Sequence, residues 1–212
     1  MNADFKKQAS QIKFHQISEL ARSGHLKQAL TECQLLRREE KKSCFLLNSI
    51  GSIELSLGDL SAAIKSFQTA IKINPKLSET WFNLGNAFVK CSDLSSAEKA
   101  YLQAEKLNPE LHQINNNLGN LFADKDQFDL AAKQFGRAAA KTNNLNREYL
   151  CNLAWTQSTL GQFDESKKNL QSKHHIALLL LLTLSRLFLK NRENVFHFKT
   201  DKNMIKCSND LS

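Results

Sequence analysis

Apolar residues along most of this chain recur at helical spacing, not in strand-like alternation. Over residues 78–111, Trp81, Leu84 and Phe88 share one face of a first helix. Ala97, Tyr101 and Ala104 share one face of a second. A pair of this kind cannot bury its apolar faces alone, so it must stack on neighbouring pairs. The same pairing returns every 34 residues, at 10–43, 44–77, 78–111 and 112–145, with a partial fifth unit over 147–171 after one extra loop residue. Counting places from the start of each unit, place twenty reads Ala29, Ala63, Ala97, Ala131 and Ser166. Place twenty-four reads Cys33, Phe67, Tyr101, Phe135 and Leu170, and place seventeen Leu26, Leu60, Leu94, Phe128 and Phe163.

Helix breakers keep the same register. Gly51, Gly85 and Gly119 fall at place eight, inside the first helix, where the missing Cβ allows a neighbouring helix to come close. Gly24, Gly58 and Gly161 fall at place fifteen and predict the turn between the two helices. Pro75 and Pro109 stand at place thirty-two and end the second helix. Seven Gly and two Pro in 212 residues leave little room for β-sandwiches or glycine-rich phosphate loops.

These residues resemble the tetratricopeptide repeat family. Its signature, W-x2-L-G-x2-Y, A-x3-F and P, is met by Trp81, Leu84, Gly85, Phe88, Ala97, Tyr101, Ala104 and Pro109. The resemblance covers residues 10–171 and is weakest in the outer units, at Lys13, Gln16, Ile17, Ala154 and Gln157. It implies an all-α fold, a right-handed α-solenoid of about five helix-turn-helix units, with residues 1–9 as a lead-in. It also implies that the first helix of each pair lines the concave face.

On that helix, places two, five, six, nine and thirteen fall opposite the core face. Place six carries Ser49, Asn83, Asn117 and Asn152; place nine carries Ser52, Asn86, Asn120 and Trp155; Asn48 and Asn116 stand at place five. An Asn side chain both donates and accepts hydrogen bonds, which suits holding the main chain of an extended peptide. Phe82 and Trp155 add apolar surface. The array is similar to the asparagine ladder in the repeat region of O-GlcNAc transferases, which holds extended polypeptides. Repeats that clamp acidic chaperone tails use cations at places two, five and six; here Phe45, Asn48, Ser49, Glu79, Phe82, Asn83, Gln113, Asn116 and Asn117 fill those places. The expected partner is therefore a protein or peptide, with Asn83, Asn117 and Asn152 as the main contacts.

Composition changes the picture little. The net charge of +8 and pI near 9.3 leave nucleic acid open in principle, but Lys and Arg alternate with Glu and Asp along the helices, which reads as a solvated surface. The cysteines Cys33, Cys44, Cys91, Cys151 and Cys207 form no Cys-x-x-Cys pair, so reduced thiols in a cytoplasmic protein are expected. Asp124, Asp126 and Asp129 lack the Gly and closing Glu of a calcium loop. No nucleophile motif, cofactor or metal site is expected, and the chain is read as a non-enzyme.

After Leu170 the register ends. Residues 172–212 carry seven basic and three acidic side chains, half the net charge, and include the Leu-rich run 176–189. That run is an irregular C-terminal helix packed as a cap, a membrane-associated anchor, or the product of a broken reading frame near codon 171. The last would make the chain a substrate-recruiting arm of a glycosyltransferase or sulfotransferase; the second, a membrane-associated adaptor.

Overall fold

A computed structural model of the chain describes residues 3–40 and 42–170. Among these, ten helices follow one another: α1 (Ala3–Arg22), α2 (Leu26–Glu39), α3 (Cys44–Leu57), α4 (Leu60–Ile73), α5 (Ser78–Lys90), α6 (Leu94–Leu107), α7 (His112–Asp124), α8 (Phe128–Lys141), α9 (Arg147–Thr159) and α10 (Phe163–Leu170). Consecutive helices pair into hairpins, and each hairpin packs on the next through α2 and α3, α4 and α5, α6 and α7, and α8 and α9. The fold is an all-α solenoid. α1 begins at Ala3, inside the stretch read above as a lead-in, because residues 3–9 contain no breaker. Residues 172–212, with the Leu-rich run and Cys207, lie outside the described residues.

One turn joins the two helices in all five hairpins. The amide at place fifteen donates to the carbonyl three residues earlier: Gly24 to Ala21 (3.2 Å), Gly58 to Leu55 (3.3 Å), Ser92 to Val89 (2.9 Å), Asp126 to Ala123 (3.0 Å) and Gly161 to Ser158 (3.0 Å). The next amide reaches back five residues, as in Asp59 to Glu54 and Asp93 to Phe88, both 3.0 Å. This pair of bonds satisfies the last carbonyls of the first helix and requires a left-handed residue between them. Gly24, Gly58 and Gly161 supply it at no steric cost, whereas Ser92 (φ 61°) and Asp126 (φ 58°) hold the same conformation with a side chain. The second helix then starts on a capped residue in two hairpins, Asp59 accepting from the Ala62 amide (3.1 Å) and Asp93 from that of Ser96 (3.0 Å).

The core is built at places eight, twenty and twenty-four. Ala29, Ala63, Ala97 and Ala131 are fully buried, and Ser166 replaces them in the last hairpin with its hydroxyl donating to the Ala154 carbonyl (2.8 Å). Phe67, Tyr101 and Phe135 lie flat against the glycine of their own hairpin. A Cβ placed on Gly51, Gly85 or Gly119 would come within 2.7, 2.5 and 2.6 Å of those rings. The first hairpin reverses the sizes: Ile17 stands at place eight and Cys33 at place twenty-four, and both are buried in one cluster. The thiols Cys33, Cys44 and Cys151 are buried and Cys91 is exposed. Burial, helped by Glu32 and Glu54, pushes the Cys33 thiol up to about 11.

Two substitutions test this account by urea denaturation. Gly85→Ala should lower stability by about 1–3 kcal/mol, since the Tyr101 ring is trapped in the core and the backbone must move. Ser92→Gly should raise it by about 0.5–1 kcal/mol by relieving the left-handed turn. A neutral Gly85→Ala would show that the close approach is not a constraint.

Candidate functional site

The asparagines of the first helices lie within hydrogen-bonding reach of one another along the solenoid. Asn83 on α5 donates through Nδ2 to Asn48 Oδ1 on α3 (3.1 Å) and to Ser52 Oγ (3.4 Å). Asn117 on α7 donates to Asn86 Oδ1 on α5 (2.8 Å). Asn152 on α9 donates to Asn116 Oδ1 on α7 (3.1 Å). Each place-six amide thus contacts place five or nine of the preceding hairpin. Three amide pairs form a strip, each pair bridging one of three successive hairpin junctions.

Exposure differs along the strip. Asn48, Asn83, Asn86, Asn117 and Asn152 are half-buried, and their amides are partly occupied by one another. Asn116 is only 6% exposed, so its place on the groove side does not make it available; it supports Asn152 from beneath. Asn120 is exposed and holds no hydrogen bond within the described residues. Of the two aromatic residues assigned to the groove, Phe82 packs against the core with its ring centroid 5.9 Å from that of Tyr101. Trp155 meets the edge of Phe128 on the preceding hairpin at 5.8 Å. At place two, by contrast, Phe45 is 64% exposed.

Two features escape a reading by columns. The first is the Tyr101 hydroxyl, which sits at a core place yet donates to Asn86 Oδ1 (2.7 Å). Its ring carbon framework satisfies the pattern that Phe67 and Phe135 satisfy, so only the extra oxygen signals the difference. The second is Asn115 at place four, where the second, third and fifth units carry Leu47, Trp81 and Leu150 and the first carries Lys13. Asn115 is fully buried, donates to Glu105 Oε1 and Gln134 Oε1 (2.7 Å each) and accepts from Lys141 Nζ (2.6 Å). Lys141 also donates to the Pro109 carbonyl, and Arg137 to Glu105 Oε1 (3.3 Å). A polar cluster therefore replaces a large apolar side chain between α6, α7 and α8. At the next junction His112 Nδ1 lies 2.8 Å from the hydroxyl of buried Tyr149.

A groove of about 870 Å³ lies away from the strip, at the outer end of the first hairpin, lined by α1 and α2 residues including Ile17, Leu20, Glu32 and Leu35. Among the described residues no group of three or more His, Cys, Asp or Glu is arranged to hold a metal, and no helix is long and apolar enough to cross a membrane.

Stacked helical hairpins carrying one repeated strip of side chains define an α-solenoid of the kind that serves as a protein-interaction scaffold. The chain belongs to the tetratricopeptide repeat family, which it matches at residues 51–92 (described as TPR repeat) and at 82–146 and 148–172 (both Tetratricopeptide repeat). Among solved structures it is similar to MamA from Desulfovibrio magneticus RS-1, at 15% identity and TM-score 0.66, covering 87% of this chain and 97% of that one. It is also similar to TTC0263, a thermophilic TPR protein of Thermus thermophilus, at 20% identity and TM-score 0.63, covering 84% and 98%. A third, YrrB, described as a TPR protein with an unusual peptide-binding site, shares 17% identity at TM-score 0.66, covering 76% and 85%. At these identities the likeness is one of fold. No curated protein sequence matches the chain.

Both tyrosines of the chain titrate high. Burial pushes Tyr101 up to about 12 against the opposing hydrogen bond from Asn117, and burial, with Glu148, raises Tyr149. A folded-state pKa above the unfolded value means that the neutral phenol stabilises the fold below about pH 10. That contribution is lost as pH rises toward about 12. Alkaline titration followed by phenolate absorbance should therefore show both tyrosines ionising above the ordinary phenol range, with helical circular dichroism weakening over the same span. Ionisation of both tyrosines near pH 10 with helicity intact would contradict the burial.

Proposed function

We propose that the chain binds an extended polypeptide along the amide strip of its concave face, gripping the main chain at one contact per hairpin. The observation that carries this reading is the recurrence of an amide pair at each successive junction, Asn83 with Asn48, Asn117 with Asn86 and Asn152 with Asn116. Once each place-six amide has donated to its neighbour, its Oδ1 has no side-chain partner among the described residues and can accept from a peptide N–H. Backbone recognition of this type depends weakly on ligand sequence. The pattern of the strip resembles the asparagine array in the repeat region of O-GlcNAc transferases, and a peptide site is what the description of YrrB names for that protein. Asn120, exposed and unbonded, extends the strip beyond Asn117, and Phe45 offers a side-chain contact near its start.

The test is a 15-residue peptide selected from a random display library on the wild-type chain, then titrated by calorimetry. Asn120→Ala removes no internal bond, so it should weaken binding two- to five-fold at unchanged melting temperature. Replacing Asn83, Asn117 and Asn152 together by Ala should weaken binding at least ten-fold. It should also cost about 0.5–1.5 kcal/mol of stability for each hydrogen bond lost, while leaving helicity intact. If the triple variant binds the peptide as tightly as wild type, the strip is not the site.

A further inference from the structure

Places eight, nine and twenty-four of the third hairpin meet in a way that the other hairpins do not repeat. In the second, third and fourth units the ring at place twenty-four is buried beneath the first helix, against the glycine at place eight. In the second and fourth hairpins that ring is Phe67 and Phe135, which end in carbon. In the third it is Tyr101, 2% exposed, its ring pressed on Gly85 and its hydroxyl emerging on the far side, at the amide strip. There the hydroxyl donates to Asn86 Oδ1 (2.7 Å) and stands 3.4 Å from Asn117 Nδ2, which itself donates to Asn86 Oδ1 (2.8 Å). Three polar groups from α5, α6 and α7 close a ring of hydrogen bonds.

We propose that Tyr101 is a positioning residue for the peptide site: its hydroxyl reaches out of the core to fix Asn86 and Asn117 in the orientation that presents the middle of the strip to a ligand. The inference rests on the peptide-binding reading of that strip. Its physical basis is the entropy of an amide side chain. An unheld Asn on a helix surface samples several rotamers and must lose them on binding, whereas one already held enters the complex with that loss behind it. Asn120 provides the internal contrast. It occupies the same place nine in the fourth hairpin, but Phe135 of that hairpin has no hydroxyl, and Asn120 is exposed without a side-chain bond among the described residues. Place five explains why the third junction needs the phenol. Asn83 and Asn152 each find an Asn at place five of the preceding hairpin, Asn48 and Asn116, whereas Asn117 meets Phe82 there and turns to Asn86 instead. The Tyr101 hydroxyl completes the pair that Phe82 leaves without a place-five amide. A ligand is therefore met by a rigid centre and, beyond it, by an adaptable Asn120.

The decisive variant is Tyr101→Phe in the full chain. Phe already occupies this place in two hairpins, so the core accepts it and the helical circular dichroism should not change. Titrated with the same library-selected 15-residue peptide, Tyr101→Phe should bind about three- to ten-fold more weakly. Asn86→Ala should weaken binding similarly, and the double variant should be no worse than either single one. A cycle between Tyr101→Phe and Asn152→Ala, one junction away, should instead be additive. In nitrogen-15 spectra, Tyr101→Phe should shift the side-chain amide signals of Asn86 and Asn117 and leave those of Asn152 in place. A merely structural role would weaken all sites alike and give no selective coupling to Asn86. If Tyr101→Phe binds as wild type while Asn117→Ala binds weakly, the positioning role is overturned and the peptide site stands. If Asn83→Ala, Asn117→Ala and Asn152→Ala all bind as wild type, the site itself is wrong and the inference falls with it.

Discussion

The contact between a glycine in the first helix and an aromatic ring from the second sets the spacing on which the rest of this solenoid depends. At Gly51, Gly85 and Gly119 the rings of Phe67, Tyr101 and Phe135 lie where a Cβ would stand. Helix axes can approach this closely only because one side contributes no side chain, and the buried Ala column below continues the same economy of volume. Closeness within each hairpin keeps the unit thin, and packing of each second helix on the next first helix then brings successive first helices together. The amide bonds of about 3 Å between those helices are a readout of that distance. Core and amide strip meet at Tyr101, whose ring fills the one and whose hydroxyl bonds the other.

The first hairpin shows that volume at this contact matters more than residue type. Ile17 and Cys33 place the large side chain on the opposite helix, and the pair remains buried within one cluster. The turn at place fifteen tells a parallel story about conformation. The same two hydrogen bonds form whether the left-handed residue is Gly58, Ser92 or Asp126, so the geometry is imposed by the packing of the hairpin and not by the glycine alone.

Periodicity makes the fold legible in the sequence. Each column is sampled several times, so an exception such as Ser166 or Ile17 is recognised as one, and the chain folds into the packed pairs of helices that the pattern requires. The groove is less legible, because a 3.6-residue period assigns a side of the helix but not a depth. That period assigns Asn116 and Asn120 to one side, yet the first is buried and bonded to Asn152 and the second is exposed, with no side-chain bond among the described residues. Phe82 and Trp155, assigned to the groove by the same argument, are half-buried and touch the rings of Tyr101 and Phe128, contacts that the period alone does not reveal. The Tyr101 hydroxyl is hidden by the columns for the opposite reason: its residue type fits the core so well that its polar end goes unnoticed.

The buried Asn115 has a consequence for the interchangeability of the units. An array of near-identical hairpins can in principle be cut and rejoined at any junction, since every interface uses the same surfaces. The interface between the third and fourth hairpins breaks that equivalence. Asn115 demands a carboxylate from the preceding unit, which Glu105 supplies, and an amide and an ammonium from its own, which Gln134 and Lys141 supply. Joined to a hairpin that offers only apolar side chains there, it would leave polar atoms dry and unpaired. The order of the third and fourth hairpins is therefore written into their shared interior, like a keyed joint among plain ones.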